Sequence, residues 1–311
     1  MKRFCVILLL SVSVLSAIDV RARQSTAQKR DEGTISVNVD LVNVLFAVTD
    51  KNGRFIRDLG QNQFKVFEDG RPQKITNFSA DTNLPMTVAL LVDTSGSVRD
   101  RLKYEQAAAL EFFKSTLIRS KDKALVIAFD SAVDLIQDYT DNLALLETSL
   151  SKMEVGGATS LYDAIFLAAS EKLASQPGRR VIVVISDGDD NQSRVGIYEA
   201  LLATQRNNVA IFAISTNAKG LGGERNTAGN NILKRLATET GGTAFFPEKF
   251  EDLSGNFREI TQHLRSQYTL AYQSSNPILN GAFRRIRIDT MDKRYVVKSR
   301  NGYYGPRGSS N

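Results

Sequence analysis

The sequence predicts an α/β fold: a doubly wound, mostly parallel sheet with helices on both faces, inserted into a small β-sandwich. Between Pro85 and about His263, short apolar strands alternate with amphipathic segments, which is typical of a parallel sheet covered by helices. The flanks, residues 34–80 and the chain beyond 266, alternate apolar and polar residues and show no helical period between their strands. Because neither flank is large enough to be stable alone, we expect the two to join in one β-sandwich; the alternative is two separate β elements.

The beginning of the chain has the features of a secretory signal peptide. Two basic residues precede an apolar run, "FCVILLLSVSVLSAI", which is shorter than the roughly 20 residues of a membrane-spanning helix. We predict a signal peptide at 1–22, cut after Ala22 or Ala17, and a polar linker at 23–33. The protein would then be exported to the periplasm or the extracellular space. An uncleaved membrane anchor is the alternative, and only in that case do we expect contact with a membrane.

The N-terminal flank, residues 34–82, is predicted to form the first half of the sandwich. The stretch "TISVNVDLVNVLFAVTD" alternates apolar and polar residues, and the Lys-Asn-Gly sequence at 51–53 supplies a turn in which Asn and Gly tolerate positive φ. Two shorter strands are expected in "FKVFEDGRPQKITNFS", on either side of an Asp-Gly turn at 69–70.

The central region, residues 84–265, is predicted to be the α/β domain. Its apolar strands are "TVALLVD", "ALVIAFD", "RVIVVISD", "VAIFAIS" and "TAFF". Helices are expected in "DRLKYEQAAALEFFKSTLI", "SLYDAIFLAASEKLA", "VGIYEALLATQRN" and "NNILKRLATETGG". In the first of these, Leu102, Ala109 and Phe112 share one face, with charged residues on the other. The segment "SAVDLIQDY" follows its preceding strand too closely for a crossover helix, so we expect it to pair antiparallel at the edge of the sheet.

The C-terminal flank, residues 266–304, is predicted to supply the other half of the sandwich. Its strands lie in "QYTLAYQ", "FRRIRIDT" and "YVVKSR", and a short tail at 305–311 follows. The alternation in the last two strands places their basic residues on the solvent face of a sheet.

Composition excludes several classes of chemistry. Cys5 is the only cysteine and lies in the predicted signal peptide, so the mature chain has no thiol for catalysis, zinc binding or disulfides. His263 is the only histidine, and we expect it on the solvated surface of a helix, which leaves a Ser-His-Asp hydrolase without its base. The net charge of +6 is scattered, and the chain has neither interleaved aromatic residues nor a Walker-type loop. We therefore expect no nucleic acid and no nucleotide as a partner.

Five oxygen-bearing side chains are predicted to meet at one edge of the central sheet. Asp93, Ser95 and Ser97 end its first strand. Thr159 lies in a glycine-bearing loop before a helix, and Asp187 ends a later strand. Ligands of an open parallel sheet bind beyond the carboxyl ends of its strands, and oxygen ligands without nitrogen or sulfur suit a hard divalent cation. We expect a divalent cation such as Mg²⁺, Mn²⁺ or Ca²⁺. Taken alone, the Asp-x-Ser-x-Ser pattern also fits a simple helix cap.

These residues carry a resemblance to a known family. From about Leu84 to His263 the chain resembles a von Willebrand factor type A domain, and the five oxygen-bearing residues match the metal-ion-dependent adhesion site of that family. The flanks contain "VTDKNGRFIRDLGQNQFKVFEDGRPQKITNF", "YTLAYQSSNPILNGAFRRIRI" and "SRNGYYGP". They resemble bacterial secreted proteins described as von Willebrand factor type A related, which are common in acidobacteria. The resemblance covers nearly the whole mature chain.

The resemblance implies a binding protein and not an enzyme. Type A domains chelate Mg²⁺ or a similar ion, and a Glu or Asp of a protein partner supplies the last ligand. By correspondence, Ser95 and Ser97 are direct ligands, and Thr159 is one in the binding-competent state. Asp93 and Asp187 are direct or water-mediated ligands. The alternatives are a structural module of the cell envelope in which the metal only stabilises the fold and, less favoured for lack of a general base, a metal-dependent hydrolase.

Overall fold

The computed structural model of the chain describes residues 41–80, 84–99, 101–217, 226–249 and 252–307. All of these residues belong to one folded unit. The predicted signal peptide at 1–22 and linker at 23–33 lie outside the described residues, as do the last four residues of the predicted tail at 305–311. Within the described ranges, no helix combines the length and the apolar character needed to cross a membrane.

Among the described residues, strands come from all three regions of the chain, and the α-helices come from the central one. The N-terminal flank contributes β1 (Leu41–Thr49), β2 (Phe64–Glu68), β3 (Arg71–Gln73) and β4 (Ile75–Ser79). The central region contributes β5 (Met86–Asp93), β6 (Lys123–Phe129), β7 (Val133–Thr140), β8 (Arg179–Ser186), β9 (Val209–Ser215) and β10 (Ala244–Phe245). The C-terminal flank contributes β11 (Gln267–Gln273), β12 (Phe283–Thr290), β13 (Val296–Ser299) and β14 (Gly302–Tyr304). The α-helices are α1 (Leu102–Thr116), α2 (Leu143–Ser151), α3 (Leu161–Leu167), α4 (Ile197–Arg206), α5 (Thr227–Thr240) and α6 (Leu253–Leu264).

The central sheet has the strand order β10-β9-β8-β5-β6-β7. Its neighbouring strands are parallel except for β6 and β7, which are antiparallel. Every residue of β5 and of β9 is buried because helices cover both faces of the sheet. The predicted doubly wound fold with one antiparallel edge strand is therefore confirmed.

Two hydrophobic cores lie on the two faces of the central sheet. Helices α1, α2 and α6 contribute buried residues to one core, and α3, α4 and α5 contribute to the other. The sequence prediction missed α2, which has one charged residue and so shows little amphipathic contrast. Asn142 caps α2 by accepting a hydrogen bond from the backbone N–H of Ala144 (3.0 Å), and Leu146 and Leu150 anchor the helix in the core.

The two flanks join in one β-sandwich. Its sheets have the orders β13-β1-β11-β4 and β14-β12-β2-β3, so each sheet combines strands from both flanks. Val44 of β1 pairs with Leu270 of β11, and Ile288 of β12 pairs with Val66 of β2. The side chains of these four residues meet in a third hydrophobic core. The central region is thus inserted in a sandwich, and the alternative of two separate β elements is wrong.

A charged group lies inside the sandwich. Glu68 is 2% exposed and accepts hydrogen bonds from the hydroxyls of Tyr272 and Tyr303, both at 2.9 Å. Its Oε1 lies 3.7 Å from Nη1 of Arg284, which is also buried. The prediction that the basic residues of β12 face solvent is wrong for Arg284, because alternation along the strand places it on the same face as the core residue Ile286.

The single histidine is buried, so the prediction that it lies on a solvated helix surface is wrong. His263 is 2% exposed, and its ring centroid lies 5.3 Å from that of Phe55 and 5.0 Å from that of Phe212. It falls on the apolar face of α6, one helical turn after the buried Ile260. Burial, together with the charge of Lys298, lowers the pKa of His263 from 6.5 to about 3.

Acid is expected to destabilise the fold through this histidine. The unfolded chain takes up the proton near pH 6.5 and the folded chain only near pH 3, so the contribution of His263 to stability is complete above pH 6.5 and is lost as the pH falls toward 3. Linkage gives a loss of about 2 kcal/mol in the free energy of unfolding between pH 7 and pH 5.

The variant His263→Phe, whose ring does not titrate, should lack that loss. Urea unfolding of both proteins at the two pH values measures it. An identical pH dependence in the two proteins would show that His263 is not buried as a neutral ring.

Candidate metal centre

The site is built on adjacent strands of the central sheet. Asp93 is the last residue of β5, and Asp187 directly follows β8. These strands pair in parallel with Val92 opposite Ile185, so their carboxyl ends lie side by side. Because both strands are central in the sheet, the carboxylate of Asp93 is 0% exposed and that of Asp187 is also buried.

The side chain of Asp93 is held at both of its oxygens. Its Oδ1 accepts a hydrogen bond from the backbone N–H of Ser95 at 2.9 Å. Its Oδ2 accepts one from the hydroxyl of Ser186 at 2.7 Å, and that hydroxyl in turn accepts one from the backbone N–H of Gly188 at 3.0 Å. The carboxylate therefore has a defined orientation at the end of the strand.

The serines of the motif connect the two strand ends. The hydroxyl oxygens of Ser95 and Ser97 lie 3.1 Å apart. The hydroxyl of Ser97 donates a hydrogen bond to Oδ2 of Asp187 at 2.9 Å. Polar oxygens of three of the five predicted residues thus form one hydrogen-bonded set directly beside the buried Asp93.

The loop that carries Thr159 lies against the β5–α1 loop. The backbone N–H of Gly156 donates to the carbonyl of Thr94 at 2.7 Å, and the backbone N–H of Gly96 donates to the carbonyl of Gly157 at 3.1 Å. Thr159 itself is buried, but its hydroxyl forms no hydrogen bond with the other four predicted residues in the described part of the chain. The structure therefore brings the Thr159 loop to the site, but the Thr159 hydroxyl is not part of the hydrogen-bonded set of Ser95, Ser97 and Asp187.

Backbone packing at two glycines positions Asp187. A Cβ atom at Gly229, in the first turn of α5, would lie 2.1 Å from the carbonyl oxygen of Asp187. A Cβ at Gly188 would lie 2.2 Å from the carbonyl oxygen of Gly229, and Gly188 has a φ of +84° that favours glycine. Asn217 also donates to the Asp187 carbonyl through Nδ2 at 2.8 Å. The main chain next to Asp187 is thus fixed by contacts that leave no room for a side chain.

The site carries negative charge without a basic partner. Burial raises the pKa of Asp93 to about 6, the charge of Asp187 adds to that rise, and the hydrogen bonds from Ser95 and Ser186 oppose it. In the described ranges neither aspartate forms an ion pair with a basic side chain. Removing a carboxylate from water without a counter-charge is unfavourable, and a bound cation would relieve that cost.

The donor set fits a hard cation better than a soft metal ion that prefers nitrogen and sulfur ligands. Among the described residues, no group of three or more His, Cys, Asp or Glu side chains has a metal-binding arrangement. The predicted site has only two carboxylates, and its other donors are hydroxyl oxygens, which suit Mg²⁺, Mn²⁺ or Ca²⁺.

Sequence reasoning missed one acidic residue near the site. The charged residues of α1 as a group were expected on its exposed face, but Glu105 is 0% exposed. Its position follows Leu102 by three residues and precedes Ala109 by four and Phe112 by seven, which places it on the apolar face of the helix. That spacing is the signal that would have found it.

A family model described as von Willebrand factor type A domain matches residues 88–189. The central region of the chain is thus similar in sequence to a von Willebrand factor type A domain. This confirms the resemblance drawn from the Asp93 motif and its loops. No curated protein sequence matches the chain.

Solved structures with the type A fold are similar to this chain. Proximal thread matrix protein 1 from the mussel byssus is 15% identical, with a TM-score of 0.51 over 64% of this chain and 51% of its own. A further structure of that protein, with a zinc-occupied MIDAS motif, is 15% identical, with a TM-score of 0.50 over 63% of this chain and 49% of its own. The von Willebrand factor domain of the type V pili tip protein Mfa5 from Porphyromonas gingivalis is 15% identical, with a TM-score of 0.49 over 58% of this chain and 95% of its own. This chain spans about half the length of the byssus protein, and identities at this level show the fold alone.

Proposed function

We propose that this protein is a non-enzymatic, divalent-cation-dependent protein-binding module that acts in the cell envelope or the extracellular space. The type A domain would hold Mg²⁺, or Mn²⁺ or Ca²⁺, through Asp93, Ser95, Ser97, Thr159 and Asp187. The observation that carries the proposal is the hydrogen-bonded set of Ser95, Ser97 and Asp187 beside the buried Asp93. A zinc-occupied MIDAS motif in the mussel byssus protein, which has the same fold, supports a divalent ion at this position.

The charge of the site explains why a partner carboxylate is expected. The charges of two carboxylates equal the formal charge of a divalent cation, and hydroxyl ligands add no charge. A cation held this way would therefore still attract a further oxygen ligand. An Asp or Glu side chain of a partner protein is a hard oxygen ligand of matching charge. We therefore propose that such a side chain completes the coordination shell.

The single histidine of the chain gives no support to hydrolysis at this site. Activating a water molecule requires a general base within hydrogen-bond reach. His263 packs between Phe55 and Phe212, at the junction with the sandwich, and forms no hydrogen bond with the five proposed ligands.

Export through the predicted signal peptide at 1–22 would place the module where an envelope or extracellular partner can reach it.

Removal of the metal should abolish partner binding. The purified protein, immobilised and incubated with a solubilised envelope fraction, is expected to retain a partner in MgCl₂ and to release it in EDTA. Ser95→Ala removes a proposed ligand and should reduce retention by about tenfold or more, whereas Ser115→Ala, at an exposed serine on α1, should leave retention unchanged. Circular dichroism establishes that both variants are folded.

Two outcomes would contradict the proposed function. Equal retention in MgCl₂ and in EDTA would show that binding does not need the metal. A Mg²⁺-dependent rise in melting temperature without any Mg²⁺-dependent partner would instead favour the structural envelope module.

The packing of α5 against the Asp187 loop gives a second prediction. Gly229→Ala places a methyl group against the Asp187 carbonyl and should displace Asp187, so the affinity for Mg²⁺ measured by isothermal titration calorimetry should fall by about 10- to 100-fold. Gly255→Ala on α6 is the matched control, because its Cβ has only the flexible end of Arg258 at 3.8 Å. Wild-type affinity in a folded Gly229→Ala protein would show that Asp187 does not take part in binding the cation.

A further inference from the structure

A third carboxyl group is buried in the helix that follows the proposed metal site. Glu105 lies in the first turn of α1, the helix that follows the Asp93–Ser97 loop. It is 0% exposed, and neither of its oxygens has a hydrogen-bond partner in the described part of the chain. An ionised carboxylate in that position would bear the full cost of leaving water.

The only basic group that acts on Glu105 among the described residues is otherwise engaged. Arg101, one turn earlier, donates hydrogen bonds to the carbonyls of Ser97 and Thr216, and it forms no ion pair with Glu105. The other charges that act on Glu105 are those of Asp93 and Asp187, which are both negative.

The helices packed on α1 do not compensate the charge either. The buried faces of α2 and α6 contribute apolar side chains to the same core as α1. Their charged residues Glu147, Arg258 and Glu259 are exposed, and His263 of α6 packs on Phe212. The surroundings of Glu105 therefore favour a neutral, protonated carboxyl group as long as no cation is bound.

We propose that Glu105 exchanges a proton for the metal: it is neutral without a cation in the site and ionises when a divalent cation binds between Asp93 and Asp187. This inference rests on the proposed function of that site. Glu105 is not one of the proposed ligands, which lie at the strand ends and in the loops that follow them, whereas Glu105 lies within α1. A divalent cation offsets the negative charges of the two aspartates, so they no longer oppose ionisation of Glu105.

The electrostatics agree with this geometry. Burial raises the pKa of Glu105 to about 8; the charge of Arg101 lowers it, and the charges of Asp93 and Asp187 raise it. At pH 7 the group thus holds its proton, whereas Asp93, whose pKa is raised to about 6 mainly by burial, has already lost it. Proton release at neutral pH consequently distinguishes the two groups.

Calorimetric titration of the whole protein with MgCl₂, in buffers that differ in ionisation enthalpy, counts the protons released. At pH 7 the wild type should release about 1.0 proton per cation, about 0.9 of it from Glu105, and its dissociation constant should fall about fivefold between pH 7 and pH 8. Glu105→Gln, which mimics the neutral form, should release about 0.1 proton, from Asp93, with a nearly constant dissociation constant over that range. Glu111→Gln makes the same change on the exposed face of α1 and should behave like the wild type.

Infrared difference spectroscopy locates the proton independently. The wild type without metal should show the C=O stretch of a protonated carboxyl group, which is lost on addition of MgCl₂ and is missing from Glu105→Gln. Equal proton release by the wild type and Glu105→Gln would overturn the inference while leaving the metal site intact. Absence of Mg²⁺ binding in the wild type would overturn the proposed function, and this inference with it.

Discussion

The buried carboxylate of Asp93 is the constraint on which the site depends. Strand β5 lies between β6 and β8 and is buried along its whole length, so its last side chain cannot reach water. Hydrogen bonds from Ser95 and Ser186 fix the carboxylate in place, but hydrogen bonds alone do not neutralise it. Since Asp187 adds a second negative charge at the next strand end and no basic side chain pairs with either, a bound cation is the arrangement that best accounts for this edge of the sheet.

The loops around Asp93 are held by main-chain contacts more than by side chains. The Thr159 loop lies on the β5–α1 loop through backbone hydrogen bonds at Gly156 and Gly96, and the Asp187 loop lies on α5 through close contact at Gly229. Such contacts tolerate little displacement, which would preorganise the oxygen atoms of the proposed metal site. The sandwich contacts the α/β domain at the opposite end of the central sheet, where Arg179 of β8 donates hydrogen bonds to the carbonyls of Leu264 and Gln267.

The features predictable from the sequence are those that depend on local pattern. Apolar strands that alternate with amphipathic helices indicated the doubly wound sheet, and the short connection before β7 indicated its antiparallel edge. The Asp93 motif, Thr159 and Asp187 could be placed at one edge because parallel strands end together.

The residues whose burial was not predicted are polar groups buried by tertiary contacts. His263, Arg284 and Glu105 all lie on apolar faces by their spacing, but residue type alone favours solvent for each of them, and only the packing of other elements decides the outcome.

The position of the bound ion tests the central claim most directly. Crystals of the protein grown with MnCl₂ would locate Mn²⁺ by its anomalous scattering. The account predicts one Mn²⁺ at the carboxyl edge of β5, coordinated by the hydroxyls of Ser95 and Ser97, with Thr159, Asp93 and Asp187 bound directly or through water. A Mn²⁺ ion bound elsewhere, with none at this edge in a crystal saturated with the metal, would contradict it.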